Sequence, residues 1–370
     1  MNKQPSLSQA LPTYEIPPPS LPPQTAGSSY AELKRRVKSR GLLDKQPGYY
    51  LYRTALLGVA LIGGIVVLLL VHLFWLQLLD AVYLAMVSTQ IGLLSHEAGH
   101  RQMFHRPWKH DLLGLLGGNL VLGMSYAWWM DKHNAHHSRP NQVGMDPDLD
   151  VPFLDLANAE DLTQMGPGRR FIRTHLAILF FPALLTVAVG LQINSISFLW
   201  HKKARYQVLE WVLLLAHIAC YLTFLFWCLG FWQALLFVGL HQALTGLYLG
   251  SIFAPNHKGM PILEKENSWD FLHRQVLTSR NVSAHPWTDF WYGGLNYQIE
   301  HHLFPSMARN KLKEAQLVVQ AFCQERAIPY HETTSRQSFA EILGYLYHMG
   351  DQLRASTPVR SDEEFEDSGA

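Results

Sequence analysis

The sequence predicts an all-α integral membrane protein of about four transmembrane helices, paired as two hairpins beneath a cytoplasmic helical cap. Three observations carry that reading: long apolar runs that come in pairs, basic residues gathered before the first run, and histidine clusters that all map to one side of the membrane. Bulk composition hides the pattern. Over 370 residues the mean hydropathy is +0.01 and the formal net charge +1. Yet apolar residues concentrate in Ala55–Leu79 and Val208–Phe253, a distribution that a uniform soluble core does not produce. So small a net charge also argues against nucleic acid as a partner.

Residues 1–29 are rich in Pro, Ser and Gln (EIPPPSLPPQ) and carry no apolar period, which predicts disorder. They lack the pattern of a secretory signal peptide. Tyr30–Leu43, with Lys34, Arg35, Arg36, Lys38 and Arg40, predicts a short basic helix. Its position before the first apolar run places the N-terminus in the cytoplasm by the positive-inside rule. A spanning helix needs about 20 apolar residues, and residues 55–75 and 76–94 supply two, returning Ser95 and His96 to the starting face. Residues 208–230 and 232–253 form a second hairpin that brings Asn256 and His257 out on the same side. Leu112–Trp129 is near the lower limit for spanning. His175–Ile193 is long enough, but a crossing there would carry His201–Arg205 outside and part the third histidine cluster from the first two. It is therefore expected to lie along the interface or dip back. Residues 30–350 thus read as one membrane domain, and 351–370, ending SDEEFEDSGA, as an acidic disordered tail. Cys220, Cys228 and Cys323 form no CxxC pair and read as small hydrophobes.

Histidine is the informative excess, 19 in all. HEAGH holds His96 and His100 four apart, on one face of a helix. HNAHH holds His133, His136 and His137 at i, i+3 and i+4. QIEHH contains Gln298, His301 and His302, and Asn256–His257 follows the last span. One histidine alone is usually structural; eight in four places on one membrane face make a shared metal site. Imidazole suits iron, copper, zinc and nickel, and because one zinc takes about four ligands, seven or eight imidazoles imply two metals. HEAGH also matches the HExxH zinc-protease motif, with Glu97 as general base and an aspartate from Asp146, Asp148 or Asp150 as a further ligand. That reading leaves the other clusters idle, and the aspartates read better as a solvated loop turning at Pro147.

HEAGH, HNAHH and NYQIEHHLFP, in this order and with an apolar hairpin between the second and third, resemble the three histidine boxes of the membrane fatty acid desaturase family, from about Tyr50 to Met307. The third box begins with Gln298 instead of histidine, as in the front-end and several bacterial acyl desaturases. The resemblance implies two iron ions held by His96, His100, His133, His136, His137, His301 and His302. His257 takes the place of an extra histidine after the last span, and Gln298 that of a weak ligand or a hydrogen-bonding neighbour. Glu97, Glu300, Asn256, Asp131 and Asn134 lie beside these positions and are candidates to orient the rings. Trp128, Trp129, Trp291 and Tyr292 are candidates to line an acyl tunnel, with interfacial anchoring as the alternative. His241, at membrane depth, is expected to hydrogen-bond a neighbouring helix. The chain has no HPGG haem motif (its one His-Pro pair is His285–Pro286) and no GxGxxG fingerprint. Electrons are therefore expected from a separate ferredoxin, cytochrome b5 or flavoprotein reductase. The implied reaction introduces a cis double bond into an acyl chain, carried on CoA or in a lipid of the bilayer, with O2 and two electrons. A hydroxylase or ketolase on the same scaffold is the alternative.

Overall fold

The structure, a computed structural model, describes residues 26–149 and 166–355. In chain order these residues form α1 (Ala26–Ser39), α2 (Pro47–Leu70), α3 (Phe74–Gly99), α4 (Pro107–Gly114) running into a π-helical stretch (Leu115–Leu122), and α5 (Tyr126–Ser138). After the undescribed segment come α6 (Pro167–Thr174), α7 (Leu176–Leu184), α8 (Val187–His201), α9 (Gln207–Leu229) and α10 (Phe231–His257). The remainder holds α11 (Phe271–Leu277), α12 (Pro286–Trp291), α13 (Gln298–Leu303), α14 (Leu312–Glu325) and α15 (Ser335–Ala355). Two dipeptide strands, β1 (Asn281–Val282) and β2 (Glu332–Thr333), pair in parallel. The fold is all-α, as expected.

Among the described residues four helices are long and apolar enough to cross a membrane: α2, α3, α9 and α10. The expected pairs are present, with shifted boundaries. The first span begins at Pro47 instead of 55 and ends at Leu70. Proline suits the first helical turn, and the tyrosines behind it (Tyr49, Tyr50, Tyr52) mask the start from a hydropathy reading. The turn itself, Val71–Leu73, is largely apolar, so the sequence reading ran through it; Trp75 belongs to α3. The second span does not stop at 94 but continues through HEAGH to Gly99, and the fourth continues through Asn256 to His257. Gly230, at φ 75°, makes the turn between α9 and α10, a conformation that favours glycine.

Burial separates inner from outer helices. The apolar stretch of α3 is 67% buried and that of α10 44%, against 11% for α2 and 17% for α9. Hence α3 and α10 form the centre, while α2 and α9 lie outermost with Leu51, Val59, Leu70, Val208 and Trp227 exposed. His175–Ile193 does not cross straight: α7 and α8 meet at a 73° bend. A Cβ on Gly246 of α10 would lie 2.7 Å from the Leu184 carbonyl oxygen, so the glycine lets α10 close against that bend. The stretch Pro107–Leu122 likewise turns through 110° into α5. Glu210 of α9 is buried there and accepts from Asn119 Nδ2 (3.1 Å), Ser125 Oγ (2.6 Å) and the Ala127 amide (3.3 Å), fixing the start of α5.

Above the spans, α1, α11, α13 and α14 share an apolar core that includes Leu33, Val37, Leu303, Phe304, Val319 and Phe322. Tyr30 of α1 donates to the Leu303 carbonyl at 2.9 Å, tying the basic helix to the helix that carries His301 and His302. Residues 26–29, expected to be disordered, belong to α1, and 351–355 of the expected tail belong to α15. Arg326 Nη1 donates to Ser29 Oγ at 3.1 Å and Arg354 to the Thr174 carbonyl, contacts that composition alone does not reveal. Asp150 and the rest of those two segments, residues 1–25 and 356–370, lie outside the described residues.

Candidate metal centre

Four separate elements deliver the histidines. The end of α3 carries His96, with His100 just past it; one face of α5 carries His133, His136 and His137; the last residue of α10 is His257; and α13 carries His301 and His302. They form two groups. In the first, the ligating atoms of His96, His100, His133, His137 and His301 all lie within 4.8 Å of one another; the second joins His136, His257 and His302. His137 and His302 stack at 4.2 Å and 14°, so the groups adjoin. All eight predicted histidines therefore meet.

The nitrogens face one another bare. His133 Nε2 lies 3.0 Å from His96 Nε2, 2.8 Å from His100 Nε2 and 3.0 Å from His137 Nε2. His301 Nε2 is buried with no partner among the described residues. In the second group His257 Nε2 lies 3.2 Å from His136 Nε2 and 3.0 Å from His302 Nε2. Here the tautomers follow from the outer partners. His257 Nδ1 faces the Thr278 carbonyl at 2.9 Å, which only accepts, so the proton sits on Nδ1. Gln275 donates its amide to the His137 carbonyl (2.9 Å), which leaves Gln275 Oε1 to accept from His302 Nδ1 at 2.8 Å. His136 Nδ1 donates to the Asp146 carboxylate at 2.9 Å. Three lone pairs thus converge with no proton on any of the three ring nitrogens, an arrangement that suits a bound cation. Burial also keeps the rings neutral: His100 is drawn down to about 3, and His301 and His302 lie well below the usual histidine range, by burial first and neighbouring histidines second.

Of the proposed orienting residues the structure brings two to the site. Asn256 Nδ2 donates to Gln298 Oε1 at 3.0 Å, and the Gln298 amide nitrogen lies 2.9 Å from His257 Nε2. Glu97 points the other way, 3.6 Å from Arg309 Nη1. That removes the base the zinc-protease reading requires. Glu300 accepts from Asn281 Nδ2 and Tyr330, each at 2.8 Å, and burial raises it to about 7. Both face away because a residue next to a ligand lies about 100° round the helix from it. Asp131 pairs with Lys202 at the surface and Asn134 is exposed.

The residues that do hold the rings were missed or misassigned. Asp146 is buried, at 1% exposure, and the solvated-loop reading is wrong for it: its carboxylate accepts from His136 and from the amides of Asn141 (2.7 Å) and Asp148 (2.9 Å). Burial alone would raise it, but His136 and these bonds hold it below the usual carboxylate range. Gln275 and Thr278 carry no sequence signal. Among the tunnel candidates, Trp129 stacks on His133 at 4.4 Å and lies 5.0 Å from His96. Trp128 packs in the core with Val87, Ile91 and Leu94, and Tyr292 with Leu93, Tyr248 and Ile252. Trp291 packs against Tyr248 with ring centroids 4.0 Å apart and planes tilted by 35°, and donates to Ser251 Oγ. His241 bonds Tyr221 at 2.9 Å and faces Ser88 at 3.5 Å, the interhelical role expected of it.

The profile of the fatty acid desaturase family matches residues 73–334, a stretch that contains all eight histidines. The chain belongs to the fatty acid desaturase family. It is an oxidoreductase of the acyl-desaturating class, and neither hydroxylation nor zinc proteolysis is favoured. It is similar to the Delta(8)-fatty-acid desaturase of Euglena gracilis, 31% identical over 358 residues, covering 90% of this chain and 81% of that protein. It is also similar to the Delta(5) fatty acid desaturase of Caenorhabditis elegans, 30% identical over 316 residues, covering 82% and 69%. With the acyl-lipid (9-3)-desaturase of Physcomitrium patens the identity is 30% over 287 residues, 74% of this chain but only 53% of the moss protein. The chain thus spans about half the length of that relative. Among the described residues the two histidine groups, and His136 together with Asp146 and Asp148, are able to hold metal.

Proposed function

We propose that this desaturase carries two iron ions, one in each histidine group, and inserts a cis double bond on the carboxyl side of an acyl chain. The observation that supports this reading is the pair of adjoining histidine groups whose ring nitrogens turn inward, three of them left without a proton by the partners of their Nδ1 atoms. His96, His100, His133, His137 and His301 hold one iron, and His136, His257 and His302 the other. Bound iron supplies the reduction of O2 and the removal of hydrogen from an unactivated methylene pair, chemistry that side chains lack. The protein's part is orientation: Asp146, Thr278 and Gln275 fix three rings by their Nδ1 protons.

Gln298 completes the second group. Asn256 Oδ1 is buried without a partner. Turning the Asn256 and Gln298 amides over lets Asn256 Oδ1 accept from Gln298 Nε2 and presents Gln298 Oε1 toward His257, where an oxygen suits a cation better than an NH2 group. Trp129, stacked on His133, is placed to border the acyl chain. The basic residues of α1, which precede the first span, support a cytoplasmic position for both termini and the metal centre. Electrons then come from a separate cytoplasmic donor: a ferredoxin, cytochrome b5 or flavoprotein reductase. The names of the Delta(5) and Delta(8) relatives support carboxyl-side regiochemistry on an acyl-CoA or acyl-lipid.

Expression in a host of known lipid profile, with fatty acid methyl esters analysed by mass spectrometry, tests the proposal. A new unsaturated species that disappears with His301→Ala is the expected result, and the double-bond position gives the regiochemistry. A hydroxylated product refutes desaturation, and one zinc with no iron in the purified protein refutes the metal assignment.

A further inference from the structure

The largest fully buried side chain in the described structure is an arginine outside the metal centre. Arg280 has 0% exposure, and a buried guanidinium persists only where its donors are matched. Its Nε donates to the Pro255 carbonyl at 2.7 Å and its Nη2 to the Lys258 carbonyl at 2.9 Å. Its backbone amide donates to the Asn256 carbonyl at 2.9 Å, and its Nη1 pairs with Glu341 Oε2 of α15 at 2.6 Å. One residue therefore takes up two carbonyls of the last turn of α10, the turn that carries Asn256 and His257, and that of Lys258, which caps it. Helix ends leave such carbonyls unpaired, and Pro255 has no amide hydrogen with which to continue the helical ladder. Two residues before Arg280, Thr278 supplies the carbonyl that sets the His257 tautomer. Glu341 also faces His331 Nε2 at 3.0 Å, and the His331 carbonyl accepts from the Asn281 amide at 3.0 Å. The segment from Thr278 to Asn281 is thus held to α10 on one side and to the C-terminal region on the other.

We infer that Arg280 and Glu341 are positioning residues for the His136, His257 and His302 metal group, through which the C-terminal helix α15 sets the end of α10. Neither side chain touches a metal-binding nitrogen; they act by fixing the backbone from which His257 projects. The five-histidine group takes nothing from α10, so the clamp serves one metal and not the other. This inference rests on the two-metal reading above.

The test uses the full-length chain in detergent, stripped and reconstituted with Fe(II), and counts iron per chain after desalting. Helical circular dichroism and elution volume report folding. The wild type is expected to hold two irons. Arg280→Gln and Glu341→Gln are expected to keep the helical signal but hold one, the second site being weakened about 10–100-fold, as for other groups that orient ligands. Glu341→Asp, which keeps the charge, is expected to recover part of the loss. Should Arg280→Gln fail to fold, the two Glu341 variants carry the test alone. Variants that keep both irons, or lose both in step, overturn the clamp while leaving the two-metal reading intact. A wild type with a single iron overturns that reading itself, and the clamp with it.

Discussion

Replacing Asp146 by asparagine probes the second metal group most directly. The carboxylate serves three donors at once: the His136 ring, the Asn141 amide on Oδ2 and the Asp148 amide on Oδ1. Asparagine keeps the size but offers one acceptor oxygen and one NH2 group. Whichever way its amide turns, one backbone N–H faces another donor in a site that is 1% exposed. A buried unsatisfied group costs about 1–3 kcal/mol, and His136 loses the charged partner that holds its proton on Nδ1. If that cost is borne where His136 meets metal, each ~1.4 kcal/mol is a tenfold loss of affinity, so binding should weaken about 10–100-fold. Iron titration of the stripped Asp146→Asn protein, followed by product analysis in cells, measures this. The expected result is one tight and one weak iron, with desaturation sharply reduced. Unchanged affinity with full product yield would refute the claim that Asp146 orients His136.

Gln298→Ala should leave the five-histidine metal in place and weaken the other about tenfold; iron titration reads this, and equal loss of both metals contradicts the assignment of Gln298 to one group. Glu210→Ala strands Ser125, Asn119 and the Ala127 amide and should cost about 3 kcal/mol, seen as a lower Tm in detergent with iron stoichiometry unchanged at low temperature. Burial by itself would raise Glu341, but the bonds to His331 and Arg280 hold it below its ordinary 4.5. A depressed carboxylate stabilises the fold above its unfolded value and loses that contribution as pH falls through the folded one. Wild-type Tm should therefore drop as the pH is taken below 4.5, and Glu341→Gln should flatten that part of the profile; parallel curves for the two proteins would disprove the link.

The spans and the histidine groups were legible because each depends on residues close in sequence. A span is a local run of apolar residues, and HEAGH or HNAHH puts its rings on one side through helical geometry alone. Boundaries were less legible. The break at Val71–Leu73 is apolar, and Pro47 and Pro255 both belong to helices although proline commonly ends one; the first suits an initial turn, and the second stands where Arg280 meets the carbonyls around it. The 110° and 73° bends arise from packing against α9 and α10, which a hydropathy window does not register.

What orients the rings could not be read by adjacency. Sequence neighbours such as Glu97 and Glu300 were reasonable guesses only if a helix presented consecutive residues to one target. Because it turns about 100° per residue, the neighbour of a ligand is aimed elsewhere: Glu97 toward Arg309, Glu300 toward Asn281 and Tyr330. A ring nitrogen on the far side of its metal needs an acceptor from whatever element packs behind it. For His136 that is a loop ten residues on; for His257 it is the residue just past α11, 21 residues away, and for His302 it is α11 itself, 27 residues away. The metal groups are thus written in short motifs, while their rigidity is written in the packing of α10, α11 and α13. That division gives the Asp146, Gln298 and Arg280 variants their common signature: each should loosen one metal without touching a single histidine.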